Sequence, residues 1–186
     1  VEPFRDMIRE MPKIPAATCY LDHDDLSHEQ RGFRYAEMLR TEIERQGPET
    51  VLAFIMEPVG GASPGALVAP DSWYREIQNI CREYGVLLFA DEVMTGAGRT
   101  GRFLASEHWN LQPDIIAMAT GFAAGYAPLG AMAARREIVD AVIENGGFAH
   151  GYTYAGNPLA RAAGLAVLEE VLQQGLIENA RQRGAS

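Results

Sequence analysis

The chain is expected to adopt an α/β fold, a mostly parallel sheet flanked by helices, and three observations predict it. Three short apolar runs, Val51-Leu52-Ala53-Phe54-Ile55-Met56, Val86-Leu87-Leu88-Phe89-Ala90 and Ile115-Ile116-Ala117-Met118-Ala119, are unbroken by polar residues. Such runs suit strands covered on both faces, as in parallel sheets. Each delivers a polar residue at its far end, respectively Glu57, Asp91 and Thr120. Helical patterns stand before and between the first two runs, and alternation of strand and helix selects the α/β class.

Residues 1–26 carry several prolines and little periodicity, and are expected to form an irregular lead-in packed on another part of the protein. Its start in mid-pattern suggests an upstream portion. From Ser27 to Gln46, Phe33, Ala36, Leu39 and Ile43 recur at helical spacing, and Gly47-Pro48 supplies the stop. The first strand follows, then a Gly/Pro-rich loop over 58–70. Asp71 or Ser72 can cap the next helix, whose stripe is Trp73, Ile77, Ile80 and Tyr84 and whose terminator is Gly85. After the second strand only a weak, short helical pattern is visible, over 102–109. The tail has Asn157 as N-cap, Pro158 at the first helical position, a stripe of Leu165, Leu168 and Leu172, and Gly175 as terminator. Three regions result: a lead-in and helix at 1–50, a core at 51–156 and a helical segment at 157–186.

With 186 residues, nearly half of them apolar, the chain can bury a real core. A net charge of −9, with no basic face or lysine run, argues against binding a phosphate backbone. The longest apolar runs fall far short of the roughly 20 residues that cross a bilayer. Residues 1–9 mix charge with apolar positions, unlike a secretory signal. Cys19 and Cys81 lack CxxC spacing and are expected to be buried spectator thiols, consistent with a reducing cytoplasm. No nucleic acid or membrane partner is expected.

Open α/β sheets bind ligands beyond the carboxyl ends of their strands, which directs attention to Glu57, Asp91 and Thr120. Gly96-Ala97-Gly98-Arg99-Thr100-Gly101 spells GxGxxG, but a dinucleotide fingerprint opens a long helix, and no such pattern follows. Nor is it a P-loop, since Arg99 stands where a lysine is required. Asp22, His23, Asp24 and Asp25 have no metal-ligand spacing. They are expected to form a solvated acidic turn in which Asp24 or Asp25 caps the approach to the next helix.

The stretch from Leu88 to Gly101, an apolar strand ending in Asp91-Glu92-Val93 and then Thr95-Gly96-Ala97-Gly98-Arg99-Thr100-Gly101, resembles the class III, fold-type I aminotransferases. Glu57-Pro58-Val59-Gly60-Gly61 is similar to the family's E-P-V-x-G turn. Pro113 to Ala119, leading into Gly121 to Gly130, resembles the segment that carries the catalytic lysine, and His150 to Pro158 the phosphate-contacting loop. The resemblance runs in register over nearly the whole chain. It implies an incomplete large domain of the pyridoxal-phosphate-dependent transferase fold, with 157–186 leading toward a C-terminal small domain.

The resemblance also implies roles. The cofactor, pyridoxal 5'-phosphate, draws electrons best when its pyridine nitrogen is protonated, so an anion must sit beside that nitrogen. Asp91 would supply it. Val93, expected on the same side as Asp91, would pack on the ring, and Thr153 would bind the phosphate of a neighbouring subunit in a homodimer with shared active sites. Glu57 would either orient ring substituents or hold the Gly60-Gly61 turn. The substrates implied are an amino donor and a keto acid acceptor.

One departure is chemical. The family's lysine position holds Thr120, and the only lysine of the chain is Lys13, far away in sequence. A hydroxyl forms no stable covalent link to the cofactor and is too weak a base at neutral pH, so normal turnover is expected to be lost or very slow. Three functions follow as expectations: an impaired aminotransferase, a pyridoxal-phosphate-dependent aminomutase, or a noncatalytic degenerate paralogue or subunit acting through its dimer surface.

Overall fold

The computed structural model describes residues 2–185. Its sheet has four strands in the order β1 (Ala53–Met56), β2 (Leu87–Asp91), β3 (Ile115–Met118), β4 (Ala131–Ala134). The first three are parallel, with Ala53 beside Leu87 and Phe89 beside Ile115; β4 returns antiparallel, with Ile115 beside Ala134. Five α-helices accompany it: α1 (His28–Gln46), α2 (Asp71–Tyr84), α3 (Arg136–Glu144), α4 (Pro158–Gln173) and α5 (Leu176–Gly184). The α/β class with a mostly parallel sheet is thus the architecture present. No helix among the described residues is long and apolar enough to cross a membrane.

Asp114 sets the register at the start of β3. Its carboxylate accepts the Leu88 amide at 2.7 Å, its own amide donates to the Leu88 carbonyl at 2.8 Å, and Arg135 from the end of β4 pairs with it at 2.5 Å.

The lead-in contains two short 3-10 turns, Glu2–Met7 and Cys19–Leu21, and buries Ala17 and Cys19 against the helices. At the start of α1, Ser27 Oγ accepts the Gln30 amide while Gln30 Oε1 accepts the Ser27 amide, a reciprocal capping box. Asp24 caps the approach to the helix as expected, its Oδ1 accepting the Leu26 amide at 3.1 Å, and Ser27 caps the helix itself. Asp22 and Asp24 also pair with arginines of α1: Arg34 contacts both, and Arg31 donates to Asp24 at 2.9 Å. Asp71 is the first residue of α2 and neither it nor Ser72 caps it. Ser72 Oγ donates to the Glu29 carbonyl at 2.7 Å, joining α2 to α1.

Ala36, Leu39 and Ile43 of α1, Trp73, Ile77 and Ile80 of α2, and Met56 and Leu88 of the sheet form one core. Phe33, expected in the α1 stripe, is exposed, and Tyr35 takes the buried position. Along β2, Leu88 and Ala90 are buried on the helix side while Leu87, Phe89 and Asp91 are half-buried on the other. On β1, Leu52 precedes the strand exposed and Ile55 is 60% exposed. The expectation of strands covered on both faces is thus met on one face only among the described residues.

Three elements had no expectation attached. β4 is Ala-Met-Ala-Ala, without the β-branched residues that announce a strand, and α3 has Arg135 in the N-cap position with no side-chain cap. α5 follows Gly175, which ends α4 as expected and at φ 65° turns the chain at once into another helix. The leucine stripe of α4 does not face inward. Leu165 and Leu172 are exposed, while Ala160 and Gly164 are the buried positions.

The pairing of Asp24 predicts an acid response. Arg34 and then Arg31 hold its carboxyl at about 2, below the ordinary carboxylate value of about 3.9. A depressed folded-state value stabilises the fold above the unfolded value, and this contribution fades as pH falls from about 4 through 2. In urea titrations followed by circular dichroism, the midpoint should fall between pH 5 and pH 2.5, and Asp24→Asn should reduce that fall. The pair is solvent-screened, so the effect is small.

Candidate functional site

The carboxyl ends of β2 and β3 bring three of the expected residues together. Asp91 is the last residue of β2, and its Oδ1 accepts the amide of Val93 at 3.0 Å. This contact puts the Asp91 carboxylate on the Val93 side of the chain. It also realises the plain role open to a strand-end carboxylate, that of capping a local amide, while Oδ2 has no partner among the described residues. Thr120 opens a 3-10 turn (Thr120–Ala123) just past β3, and its hydroxyl donates to the Val93 carbonyl at 3.3 Å. Residues 91, 93 and 120 therefore form one linked group beyond the carboxyl ends of the two central strands.

Glu57 and Thr153 are not brought into it by any hydrogen bond among the described residues. Glu57 Oε2 accepts the Gly61 amide at 2.9 Å, and a Cβ on Gly61 would lie 2.5 Å from Oε1. The carboxylate holds the Gly60-Gly61 turn, one of the two roles open to it. The loop beyond is braced by Tyr74, whose hydroxyl donates to the Pro58 carbonyl at 2.7 Å and accepts the Ala69 amide; burial pushes this phenol up to about 12. Thr153 is exposed on the loop between α3 and α4, without a hydrogen-bond partner among the described residues.

A cavity of about 760 Å³ lies elsewhere. It is an apolar groove beside β1 lined by Lys13, Leu52, Phe54, Ile55, Glu57 and Trp73 among others. Lys13 thus shares a groove with Glu57, and neither Asp91 nor Thr120 lines it. The sole amine side chain of the protein is not positioned to stand in for a lysine at 120. Both cysteines are buried away from the site, and burial raises their thiols, Cys81 to about 12. Both are buried, as expected.

Two features went unread in the sequence. Arg99 donates to the Met94 carbonyl at 3.4 Å and lies against Gly121, where a Cβ would meet its guanidinium nitrogens at 3.0 and 3.1 Å. A cation therefore stands beside the residue after Thr120. Glu92, between Asp91 and Val93, is fully buried. Its Oε1 accepts the amide and hydroxyl of Ser106 at 2.8 and 2.5 Å; Oε2 accepts the Ala105 amide at 2.9 Å and the hydroxyl of Thr95. Nothing local signals this, because two of its partners are thirteen and fourteen residues on.

The GxGxxG stretch serves packing. Gly98 and Gly101 have φ of 97° and 80°, and α5 lies directly on them: added Cβ atoms would meet Ile177 Cγ1 at 2.8 Å and Arg181 Cα at 2.9 Å. Gly164 of α4 similarly admits Leu129, from the segment after Thr120. The α4 and α5 pair thereby clasps both segments that frame the site.

Residues 2–186 match the family model described as aminotransferase class-III. The chain is 39% identical over 184 residues to an uncharacterized aminotransferase, YodT, of Bacillus subtilis, covering 98% of this chain and 41% of that protein. It is 37% identical over 166 residues to a putrescine–pyruvate aminotransferase of Pseudomonas aeruginosa, covering 89% and 36%. Its fold superposes with a TM-score of 0.90 on a thermostable (S)-enantioselective omega-transaminase from Thermomicrobium roseum, at 38% identity over 100% of this chain and 42% of that one. The chain spans about two fifths of the length of these relatives.

Proposed function

Because this chain belongs to the class III aminotransferase family, we propose that it is the cofactor-binding portion of a pyridoxal-phosphate-dependent aminotransferase whose turnover is impaired at Thr120. The observation that carries the reading is the joining of Asp91, Val93 and Thr120 at the carboxyl ends of two parallel strands. When bound, pyridoxal 5'-phosphate supplies an electron sink for bonds at the amino-bearing carbon. Asp91 fits it: one carboxylate oxygen is fixed by the Val93 amide and the other is free to hold a proton on the pyridine nitrogen. Val93 offers an apolar surface to the ring, Glu57 acts through the turn it holds, and Thr153 serves the phosphate of a neighbouring subunit. The protein is a cytoplasmic homodimer in this reading, and its substrates are an amino compound and a keto acid.

Thr120 favours a second reading. Its hydroxyl is engaged with the Val93 carbonyl and can neither link covalently to the cofactor nor take up a carbon-bound proton at neutral pH. A noncatalytic paralogue or subunit would keep the fold for its dimer surface alone. The aminomutase reading shares the same site residues and has no observation of its own.

Equilibrium titration with pyridoxal 5'-phosphate, followed by absorbance, separates these readings. The protein should bind reversibly, and Asp91→Asn should weaken binding at least about tenfold, the order expected for loss of one charge-assisted hydrogen bond. Equal affinity in the two proteins would remove Asp91 from the site. Absence of saturable binding in both would favour the noncatalytic reading.

A further inference from the structure

Resting on the reading of residues 91, 93 and 120 as a cofactor site, we propose that Glu92 is its positioning residue. Asp91 and Val93 flank Glu92 on either side, so the orientation of this one residue turns both of them. Its position is overdetermined. The backbone amide donates to the Ala117 carbonyl at 2.8 Å, holding β2 to β3, and its carbonyl accepts the Gly96 amide at 2.8 Å. The carboxylate takes two backbone amides and two hydroxyls, from Thr95, Ala105 and Ser106.

No arginine, lysine or histidine pairs with this buried carboxylate among the described residues; oriented dipoles alone satisfy it. Four donors aimed at two oxygens leave no rotamer freedom, and a buried acceptor so placed is costly to disturb. The anchor at the far side is itself firm. Residues 105 and 106 open the 3-10 turn Ala105–Trp109, and Trp109 Nε1 donates to Asp71 of α2 at 2.9 Å. Glu92 therefore ties the strand end that presents Asp91 to a turn docked on the core helix. The same tie holds the Val93 carbonyl in the place where Thr120 meets it.

Glu92→Gln tests this, because the amide keeps the shape but turns one acceptor into a donor facing donors. Amide hydrogen exchange, measured well below the unfolding transition, reads the Val93 amide, which is bonded to Asp91, against the Phe89 and Ala90 amides of the ladder. Val93 should exchange at least about tenfold faster in the variant, with the ladder amides unchanged. An Ile43→Val control, destabilised in the core of α1, should not alter Val93. If Glu92→Gln does not fold, Ser106→Ala, which removes one donor and leaves the carboxylate, decides by the same measurement with a smaller change in the same direction. Val93 exchange equal to that of the parent in a folded variant would overturn the proposal.

Pyridoxal 5'-phosphate titration of the same proteins separates this outcome from the fate of the functional reading. Weaker binding by folded Glu92→Gln supports both. No saturable binding by the parent counts against the cofactor reading, while the exchange result still decides whether Glu92 positions its neighbours.

Discussion

Thr120→Lys is expected to turn a protein that carries no covalent label at this position into one that takes up pyridoxal phosphate there, in an adduct that borohydride fixes. The geometry favours it on three counts. Residue 120 starts a turn at the carboxyl end of β3, so a longer side chain emerges beside the end of β2, where Asp91 stands. The present hydroxyl is exposed and makes one bond, at 3.3 Å to the Val93 carbonyl, so little packing is lost on replacing it. The Arg99 guanidinium lies against Gly121, and a neighbouring cation disfavours protonation of an amine, leaving more of it nucleophilic at neutral pH. Peptide mapping after reduction should find the label at residue 120 in the variant alone, with any label on Lys13 equal in both proteins and serving as background. No label at 120 in a folded variant would mean that these residues do not form a cofactor pocket in this chain.

Gly101→Ala is expected to destabilise the fold strongly. Its φ of 80° lies where a side chain is strained, at a cost of order 1–3 kcal/mol. The added Cβ would also sit 2.9 Å from the Cα of Arg181. Backbone cannot rotate away as a side-chain tip can, so α5 must move, and overpacking of this kind costs about 1–3 kcal/mol. A total loss of about 2–6 kcal/mol should appear as a lower urea midpoint by circular dichroism. At Gly98 the atom met is Ile177 Cγ1, part of a side chain, and the same substitution should cost less. Equal losses at the two sites would mean that φ strain dominates and that the approach of α5 matters little.

The parts of this fold that could be read from sequence are those in which neighbouring residues share one environment. Val86 to Ala90 is uniformly apolar because successive side chains of β2 meet either the helices or the half-covered face, and its end at Asp91 marked the site. The Trp73, Ile77, Ile80 stripe succeeded because α2 buries one face completely. Where contacts come from afar, pattern fails. Leu165 and Leu172 have the spacing of a buried stripe, yet α4 presents Ala160 and Gly164 inward, because close approach to Leu129 demands small residues. β4 is hidden because its four residues are alanines and a methionine held by pairing with β3. Glu92 looks like any charged residue after a strand; only the chain's return at 105–106 makes it a buried hub. The packing role of GxGxxG, admitting α5, is invisible without the helix in view.

The chain's two tryptophans meet around one ring. Trp109 stacks on Tyr74 with centroids 3.8 Å apart, and Trp73 meets the same tyrosine edge-on at 5.0 Å. Intrinsic fluorescence is therefore a single-locus probe, and what it watches is the seating of the turn after β2 upon α2. Trp109 is the partly exposed member and Trp73 the buried one, so lifting that turn should shift the emission of the first to the red while the second keeps its blue component. A spectrum that changes in two steps would time the release of this turn against the melting of the helices, without any label added.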